Sequence, residues 1–188
     1  MWPAAVPDTA HIPLTRPSSV WNLAGLLLVR DATVNDWPLI WPFWQQIVAT
    51  GDTFTYEPNM TDDAARGSWM VNPPGRVVVA QAPDGSILGT ANMYANRGGT
   101  GAHIASASYM VDPAHHGRGV GRQLVEDSLQ WARQRNFAGM QFNAVAASNG
   151  PAVHLYESLG FTILGTVPGG FRHPEHGQVG LHVMFRPL

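Results

Sequence analysis

The chain has 188 residues, of which 45% are hydrophobic and 13% are charged, so it can bury one globular core and is not a disordered tail. Its formal net charge of -2 excludes a broad nucleic-acid surface, and the lack of cysteine excludes disulfides, thiolate catalysis and cysteine-based zinc sites. No basic segment precedes a long apolar run, and "LAGLLLV" is too short to span a bilayer. We therefore expect a cytoplasmic protein with no nucleic-acid or membrane partner.

The first 24 residues form a proline-rich extension. Pro3, Pro7, Pro13 and Pro17 prevent this segment from continuing as a helix or as a central strand. The segment is either disordered, or it lies on the surface of the domain or on a partner subunit, which would make the protein a homodimer. Residues 25–188 show no internal repeat and no second domain, so we predict a single domain over this range.

The segments that follow predict two helices and then a three-strand meander. "GLLLVRDAT" is typical of a buried strand, and "NDWPLIWPFWQQIVATG" predicts a helix with Asn35 or Asp36 as its cap and Gly51 at its end. A second short helix is expected between Asn59 and Met70, with Thr61 as its cap. "RVVVAQA" and "SILGTANMYA" flank "PDG" as a hairpin, and "HIASASYMV" supplies the third strand.

The second half of the chain alternates helices and strands. One apolar stripe predicts a helix after the glycine-rich "HHGRGVG", and its members are Val120, Leu124, Val125, Leu129 and Ala132. "GMQFNAVA" is the next strand, "PAVHLYESLG" is a short helix, and "FTILGTV" and "VGLHVMF" are the last two strands. This order of elements predicts an α/β fold, in which a mixed central sheet of about seven strands carries helices on both faces.

Three glycines close together, Gly117, Gly119 and Gly121, call for an explanation, because each costs roughly 1 kcal/mol in a helix interior. Glycines allow the backbone to approach a phosphate held by N–H groups at the start of a helix. The chain contains no G-x-x-x-x-G-K-[ST] loop, and its G-x-G-x-G spacing departs from a dinucleotide fingerprint. A plain turn between a strand and a helix is the alternative reading of this stretch.

Two longer motifs resemble the GCN5-related N-acetyltransferase (GNAT) superfamily. "YMVDPAHHGRGVGRQLVEDSLQWA" is similar to strand 4 and the acetyl-CoA loop of pattern [Q/R]-x-x-G-x-[G/A], with His116 at the Gln/Arg position. "NAVAASNGPAVHLYESLGF" is similar to strand 5 and the helix of pattern N-x-x-A-x-x-L-Y-x-x-x-G-F. The residues that match this second pattern are Asn149, Ala152, Leu155, Tyr156, Gly160 and Phe161.

The resemblance implies a sheet that splays between strands 4 and 5, acetyl-CoA as co-substrate, and no metal. It implies that backbone N–H groups at the helix start wrap the coenzyme A pyrophosphate, with two arginines adding charge. It also implies that main-chain groups on strand 4 pair with the pantetheine arm and polarise the thioester carbonyl. The expected coenzyme-binding residues are Met110, Val111, His116, Gly117, Arg118, Gly119, Val120, Gly121, Arg122 and Asn149.

Acetyl transfer to an amine needs a proton donor for the leaving thiolate and an acceptor for the amine's proton. Tyr156 is the candidate acid, because a tyrosine with an ordinary pKa near 10 is protonated at neutral pH. Glu57, His103 and a relay through ordered water are the alternatives for the base. The adjacent His115 and His116 lack a carboxylate at ligand spacing, and neither they nor "HPEH" predicts a metal site.

The acceptor is predicted from a closer resemblance. "IVATGDTFTYEP", "AHIASASYMV" and "FNAVAASN" are similar to the fungal proline-analogue acetyltransferases, and "TFTYEP" is also similar to phosphinothricin and methionine sulfoximine acetyltransferases. This resemblance implies that Asn143 holds a substrate carboxylate, with Ser106 as a second donor where that family has asparagine, and with His103 at the substrate end.

The predicted function is therefore direct acetyl transfer, in a ternary complex, to a small amine such as an amino acid or its analogue, as in detoxification. An acyl-CoA-binding sensing or scaffolding module without turnover is the alternative. If the glycine loop bound a nucleotide, a magnesium-coordinating Ser or Asp would be expected after the glycines, and we identify none there.

Overall fold

The computed structural model describes residues 27–188, so the predicted N-terminal extension (1–24) lies outside the described residues. Seven strands form one sheet in the order β1-β2-β3-β4-β5-β7-β6, in which only β4 and β5 run parallel. The strands are β1 (Leu28–Asp31), β2 (Arg76–Gln81), β3 (Ile87–Ala95), β4 (Ile104–Val111), β5 (Gly139–Ala146), β6 (Thr162–His173) and β7 (Gly177–Pro187). The helices are α1 (Trp37–Thr50), α2 (Asp62–Trp69), α3 (Val120–Gln134) and α4 (Gly150–Ser158).

The helix ends follow local chemistry. Gly51 ends α1 in the left-handed conformation with φ of 65°, and Thr61 caps α2 by accepting from the Ala64 amide at 3.4 Å, as predicted. Asp36 occupies the N-cap position of α1, as predicted, but its side chain makes no capping hydrogen bond. Its carboxylate instead binds the Arg30 guanidinium and Thr33, which lowers the pKa of Asp36 to about 2. This ion pair fixes β1 to the start of α1.

The helices cover the two faces of the sheet, as the order of elements predicted. On one face, α1 and α2 pack on β2 and β3 through an aromatic cluster that includes Trp44 and Trp69. On the other face, α3 and α4 pack on the middle of the sheet, and the predicted stripe of α3 is buried throughout. Gly89 lets α3 approach closely, because a Cβ there would lie 3.0 Å from Val120 Cγ1 and 3.2 Å from Leu124 Cδ1.

The parallel contact between β4 and β5 is short. Ile104 pairs with Gly139 and Ala105 pairs with Met140, after which the two strands separate. Beyond this point β5 continues to pair with β7, with a bulge between Phe142 and Val145. The splay predicted between strands 4 and 5 is therefore present. None of the helices in residues 27–188 is long and apolar enough to span a membrane.

The final hairpin is longer than its two apolar runs predicted. β6 and β7 extend through "PGGFRHPEHG" and pair as far as His173 and Gly177, at the turn. Because β6 is the edge of the sheet, most of its residues are exposed.

Candidate active site

The gap between β4 and β5 exposes main-chain groups on only every second residue of β4. The Asn96 amide donates to the Ile104 carbonyl from β3, whereas the Ala138 amide donates to the His103 carbonyl from the β5 side. Since this alternation continues along an antiparallel strand, odd-numbered residues of β4 direct their main-chain groups toward β5. Past Ala105 these groups belong to Ala107, Tyr109 and Val111, and β5 is no longer there to bind them.

This register corrects one predicted contact. Met110 is paired with Thr90, so its main-chain groups bond β3 and do not face the gap. We therefore assign the available main-chain groups to Tyr109 and Val111 rather than to Met110. His116 lies at the mouth of the gap, where its Nε2 is 3.2 Å from the Val111 carbonyl oxygen.

The glycine loop presents the start of α3 to solvent. Gly117 and Gly119 have φ of 75° and 79°, a left-handed backbone that favours glycine, and Gly119 precedes the helix without a side chain to cap it. The first helical bond joins the Gln123 amide to the Gly119 carbonyl at 3.2 Å, so the three preceding N–H groups have no intrahelical acceptor. These groups and the helix dipole make the loop suited to an anion.

Positive charge flanks this loop. No acidic residue lies in the first turn of α3, and Arg118 and Arg122 lie on either side of Gly119, Val120 and Gly121. The Arg122 guanidinium donates to the Ser158 hydroxyl at 2.8 Å and lies 3.6 Å from Glu126, so it is held between α3 and α4. The residues from His116 to Arg122 thus surround the start of α3, with the Val120 side chain buried in the core, and their contact with coenzyme stays a prediction.

Tyr156 lies across the gap on the face covered by α3 and α4. Its ring centroid is 4.6 Å from that of Phe142 on β5 and 6.1 Å from that of Tyr109 on β4. Burial raises the pKa of Tyr156 well above its ordinary value, so the phenol is fully protonated at neutral pH. Within the described residues its hydroxyl has no hydrogen-bond partner.

Asn149 orients the helix that carries Tyr156. Its Oδ1 accepts from the Ala152 amide at 3.2 Å, which makes Asn149 the cap of α4. The side-chain oxygen of Asn149 is therefore engaged within the protein, and the contact of this residue with coenzyme stays a prediction.

The opposite face of the gap carries neutral polar groups. Ser106 and Asn143 lie on this face, because their neighbours Ala105, Ala107, Met140 and Phe142 are buried against α3 and α4. Ser106 is buried beside Tyr94, its partner on β3.

A chain of three amides runs along this face. Asn143 donates to Asn96 Oδ1 at 2.6 Å and accepts from Gln141 at 2.8 Å. The side-chain oxygen of Asn143 and one of its two N–H groups are therefore engaged. The second N–H remains available.

Within residues 27–188 neither Glu57 nor His103 forms a hydrogen bond with these groups, so the role of either as the base stays a prediction. Glu57 is exposed on the loop between α1 and α2, next to Tyr56, whose pKa is raised by burial and by the nearby Tyr94. His103 is exposed beyond the closed end of the gap, and its Nδ1 lies 3.1 Å from the Thr100 carbonyl oxygen.

Sequence reasoning missed Tyr109, Asn96 and Gln141. The alternation of β4 could have indicated Tyr109, but the contact between Asn96 and Asn143 joins residues 47 apart and has no local signal.

The histidines of "HPEH" form a turn rather than a metal site. His173 Nδ1 accepts from the amides of Glu175 and His176 at 3.1 and 3.2 Å, so this nitrogen is already engaged. Across residues 27–188 no group of three His, Asp or Glu side chains could hold an ion.

Comparison with known proteins agrees with this geometry. N-acetyltransferase aca1 of Schizosaccharomyces pombe is 33% identical over 99 residues, which are 52% of this chain and 47% of the relative. Streptothricin acetyltransferase of Streptomyces lavendulae is 31% identical over 104 residues, which are 55% of this chain and 52% of the relative. The chain thus spans about half the length of these curated relatives.

Solved structures match over a larger share of the chain. A GCN5-related N-acetyltransferase from Kribbella flavida has a TM-score of 0.84 at 55% identity, covering 86% of this chain and 98% of that chain. A phosphinothricin acetyltransferase from Sinorhizobium meliloti, solved in complex with acetyl-CoA, has a TM-score of 0.76 at 23% identity over 86% and 88% of the two chains, a likeness of fold alone.

The family model described as the acetyltransferase (GNAT) family matches residues 39–161, a range that contains the gap, the glycine loop and Tyr156. The chain therefore belongs to the acetyltransferase (GNAT) family.

Proposed function

We propose that this protein is an acetyl-CoA-dependent N-acetyltransferase that acts on a small amine, specifically an amino acid or an amino-acid analogue. The observation that supports this proposal most directly is the Tyr156 ring, which packs against residues from both sides of the gap while its hydroxyl has no hydrogen-bond partner among residues 27–188. The Tyr156 side chain is half-buried and its hydroxyl is not enclosed by the protein, so it can donate its proton to a ligand in the gap.

The available groups fit coenzyme A along its length. The N–H groups at the start of α3, with Arg118 and Arg122, suit the pyrophosphate. The main-chain groups of Val111 and Tyr109 suit an extended arm that binds as an added strand would. When bound, acetyl-CoA supplies the acetyl thioester that is transferred.

Different residues of the chain polarise the thioester and supply the proton during acetyl transfer. A main-chain N–H of Tyr109 or Val111 polarises the thioester carbonyl. The neutral amine forms its bond to the carbonyl carbon, the carbon–sulfur bond breaks, and Tyr156 gives its proton to the sulfur. The proton that the amine loses passes to solvent, directly or through Glu57, and one proton returns to Tyr156. The products are an N-acetylated amine and free coenzyme A.

The acceptor class follows from the neutral face of the gap. Asn143, Gln141 and Ser106 offer amide and hydroxyl groups there, without a charged side chain among them, and Asn96 holds Asn143 through its Oδ1. Such groups can bind a small carboxylate through N–H and O–H donors while leaving the amine unpaired and nucleophilic. A polycation would instead call for carboxylates at this face.

The test of this function is an acceptor panel that follows the release of free thiol from acetyl-CoA. The panel contains amino acids, their decarboxylated amines, polyamines and aminoglycosides. We expect thiol release with amino acids and little release with their decarboxylated counterparts. Binding of acetyl-CoA with no thiol release across the whole panel would contradict the proposed activity and favour a sensing or scaffolding module.

Replacing Tyr156 by Phe keeps the ring packing and removes only the proton donor. We expect kcat to fall on the order of a hundredfold, while the dissociation constant for acetyl-CoA, measured by calorimetry, stays nearly unchanged. If kcat falls by less than about threefold when chemistry is rate-limiting, water protonates the thiolate and Tyr156 is not the acid.

Asn143→Ala tests the recognition of the acceptor. Loss of the Asn143 amide should raise KM for amino acids by about tenfold, because one donor to the carboxylate is removed. KM for acetyl-CoA should stay unchanged. The matched control is Asn96→Ala, which frees Asn143 from its loop contact and should keep the preference for amino acids over decarboxylated amines. If both variants change KM for amino acids alike, Asn143 only holds the loop and does not bind the acceptor.

A further inference from the structure

Tyr109 carries a phenol that the proposed reaction does not use. Its hydroxyl lies 2.6 Å from the hydroxyl of Ser128 on α3, and Ser128 in turn donates to the Val125 carbonyl at 2.7 Å. A serine hydroxyl has one hydrogen, so the Ser128 oxygen must accept from Tyr109 when that hydrogen is given to Val125. The direction of the chain is therefore fixed, from Tyr109 through Ser128 to the helix carbonyl.

This arrangement holds the Tyr109 ring at both ends. One end is the main chain of β4, and the other is the hydroxyl bound to α3 and packed 3.7 Å from the Met140 sulfur. Burial raises the pKa of Tyr109 well above its ordinary value, so the phenol keeps its proton. Because that proton is committed to Ser128, Tyr109 is not available to protonate a thiolate.

The Tyr156 ring has no comparable attachment. Its orientation depends on the rings around it, with centroids at 4.6 Å for Phe142, 6.0 Å for Phe161 and 6.1 Å for Tyr109. Tyr109 also meets Phe142 edge-on, at 5.7 Å and 83°, so the three rings pack as one unit across the gap. Within the described chain, Tyr109 is the member of this unit that a hydrogen bond fixes.

We propose that Tyr109, anchored to α3 through Ser128, is a positioning residue that sets the angle at which the Tyr156 hydroxyl enters the gap. This inference rests on the proposed acid role of Tyr156. Tyr109 acts through the ring of Tyr156, whose centroid lies 6.1 Å from its own. Close-packed rings transmit such a constraint because they have little room to rotate independently.

The kinetic test uses Tyr109→Phe and Ser128→Ala, which remove the donor and the acceptor of the anchor. Each variant is assayed with acetyl-CoA and the amine that gives the fastest thiol release in the acceptor panel. We expect kcat to fall on the order of tenfold in both, because a small misplacement of a proton donor is costly, while KM for acetyl-CoA stays within about twofold. A loss in KM alone, or no loss in kcat, would overturn the proposal.

The same two substitutions are then made in the Tyr156→Phe protein. If the anchor acts through the Tyr156 hydroxyl, neither substitution lowers kcat further in this background. Equal fold losses in both backgrounds would mean that the anchor serves only general packing.

The matched control is Thr90→Val. The Thr90 hydroxyl is also buried, accepts from Trp69 at 3.1 Å and donates to the Val78 carbonyl at 2.9 Å, but it lies on the other face of the sheet. We expect this variant to lose stability and to keep its kcat.

A spectroscopic readout separates the positioning role from the acid role. The chain has four tyrosines, so ring carbons labelled with carbon-13 give four assignable sets of resonances. We expect Tyr109→Phe and Ser128→Ala to shift or broaden the Tyr156 ring resonance in the protein without coenzyme, and Thr90→Val to leave it in place. An unmoved Tyr156 resonance overturns the positioning role. An unchanged kcat in Tyr156→Phe overturns the acid role, whatever the spectra show.

Discussion

The parallel pairing of β4 with β5 stops after Ile104 with Gly139 and Ala105 with Met140, and every functional feature of the molecule depends on this early stop. A buried main-chain group without a partner costs roughly 1–3 kcal/mol, so a sheet does not open at its centre without compensation. On the α3 and α4 face, the rings of Tyr109, Phe142 and Tyr156 fill the opening. Toward the mouth, the Val111 N–H faces the gap, whereas the Val111 carbonyl oxygen lies 3.2 Å from His116 Nε2.

The two faces of the opening have different chemistry because different residues alternate onto them. Odd-numbered residues of β4 meet an apolar and aromatic cluster, in which burial keeps both phenols protonated. Even-numbered residues of β4 share their face with the amides of Gln141 and Asn143. The proton donor lies on one face of the gap, and neutral hydrogen-bonding groups lie on the other. This arrangement suits a reaction in which the proton donor and the acetyl acceptor approach the thioester from opposite sides.

Several of these features could be predicted from the sequence because their signals are local. The stripe of α3 and the cap Thr61 depend on residues within one or two turns, and both predictions agree with the structure. Gly117 and Gly119 adopt left-handed backbone, and their role toward coenzyme stays a prediction. The pairing of Met110 with β3 could not be predicted, because it depends on the register between two strands. The contact of Asn143 with Asn96 and that of Tyr109 with Ser128 join distant parts of the chain, and each is created only by the packed sheet.

The central claim is that the main-chain groups of Tyr109 and Val111 receive the coenzyme, and amide hydrogen exchange tests it directly. In the protein alone, the amides of Ser108 and Met110 should exchange slowly, because they donate to β3, whereas those of Tyr109 and Val111 should exchange faster. Saturating acetyl-CoA should slow exchange at Val111 or Tyr109 by tenfold or more and leave Ser108 and Met110 unchanged. Unchanged exchange at Tyr109 and Val111 in the presence of bound acetyl-CoA would contradict the account.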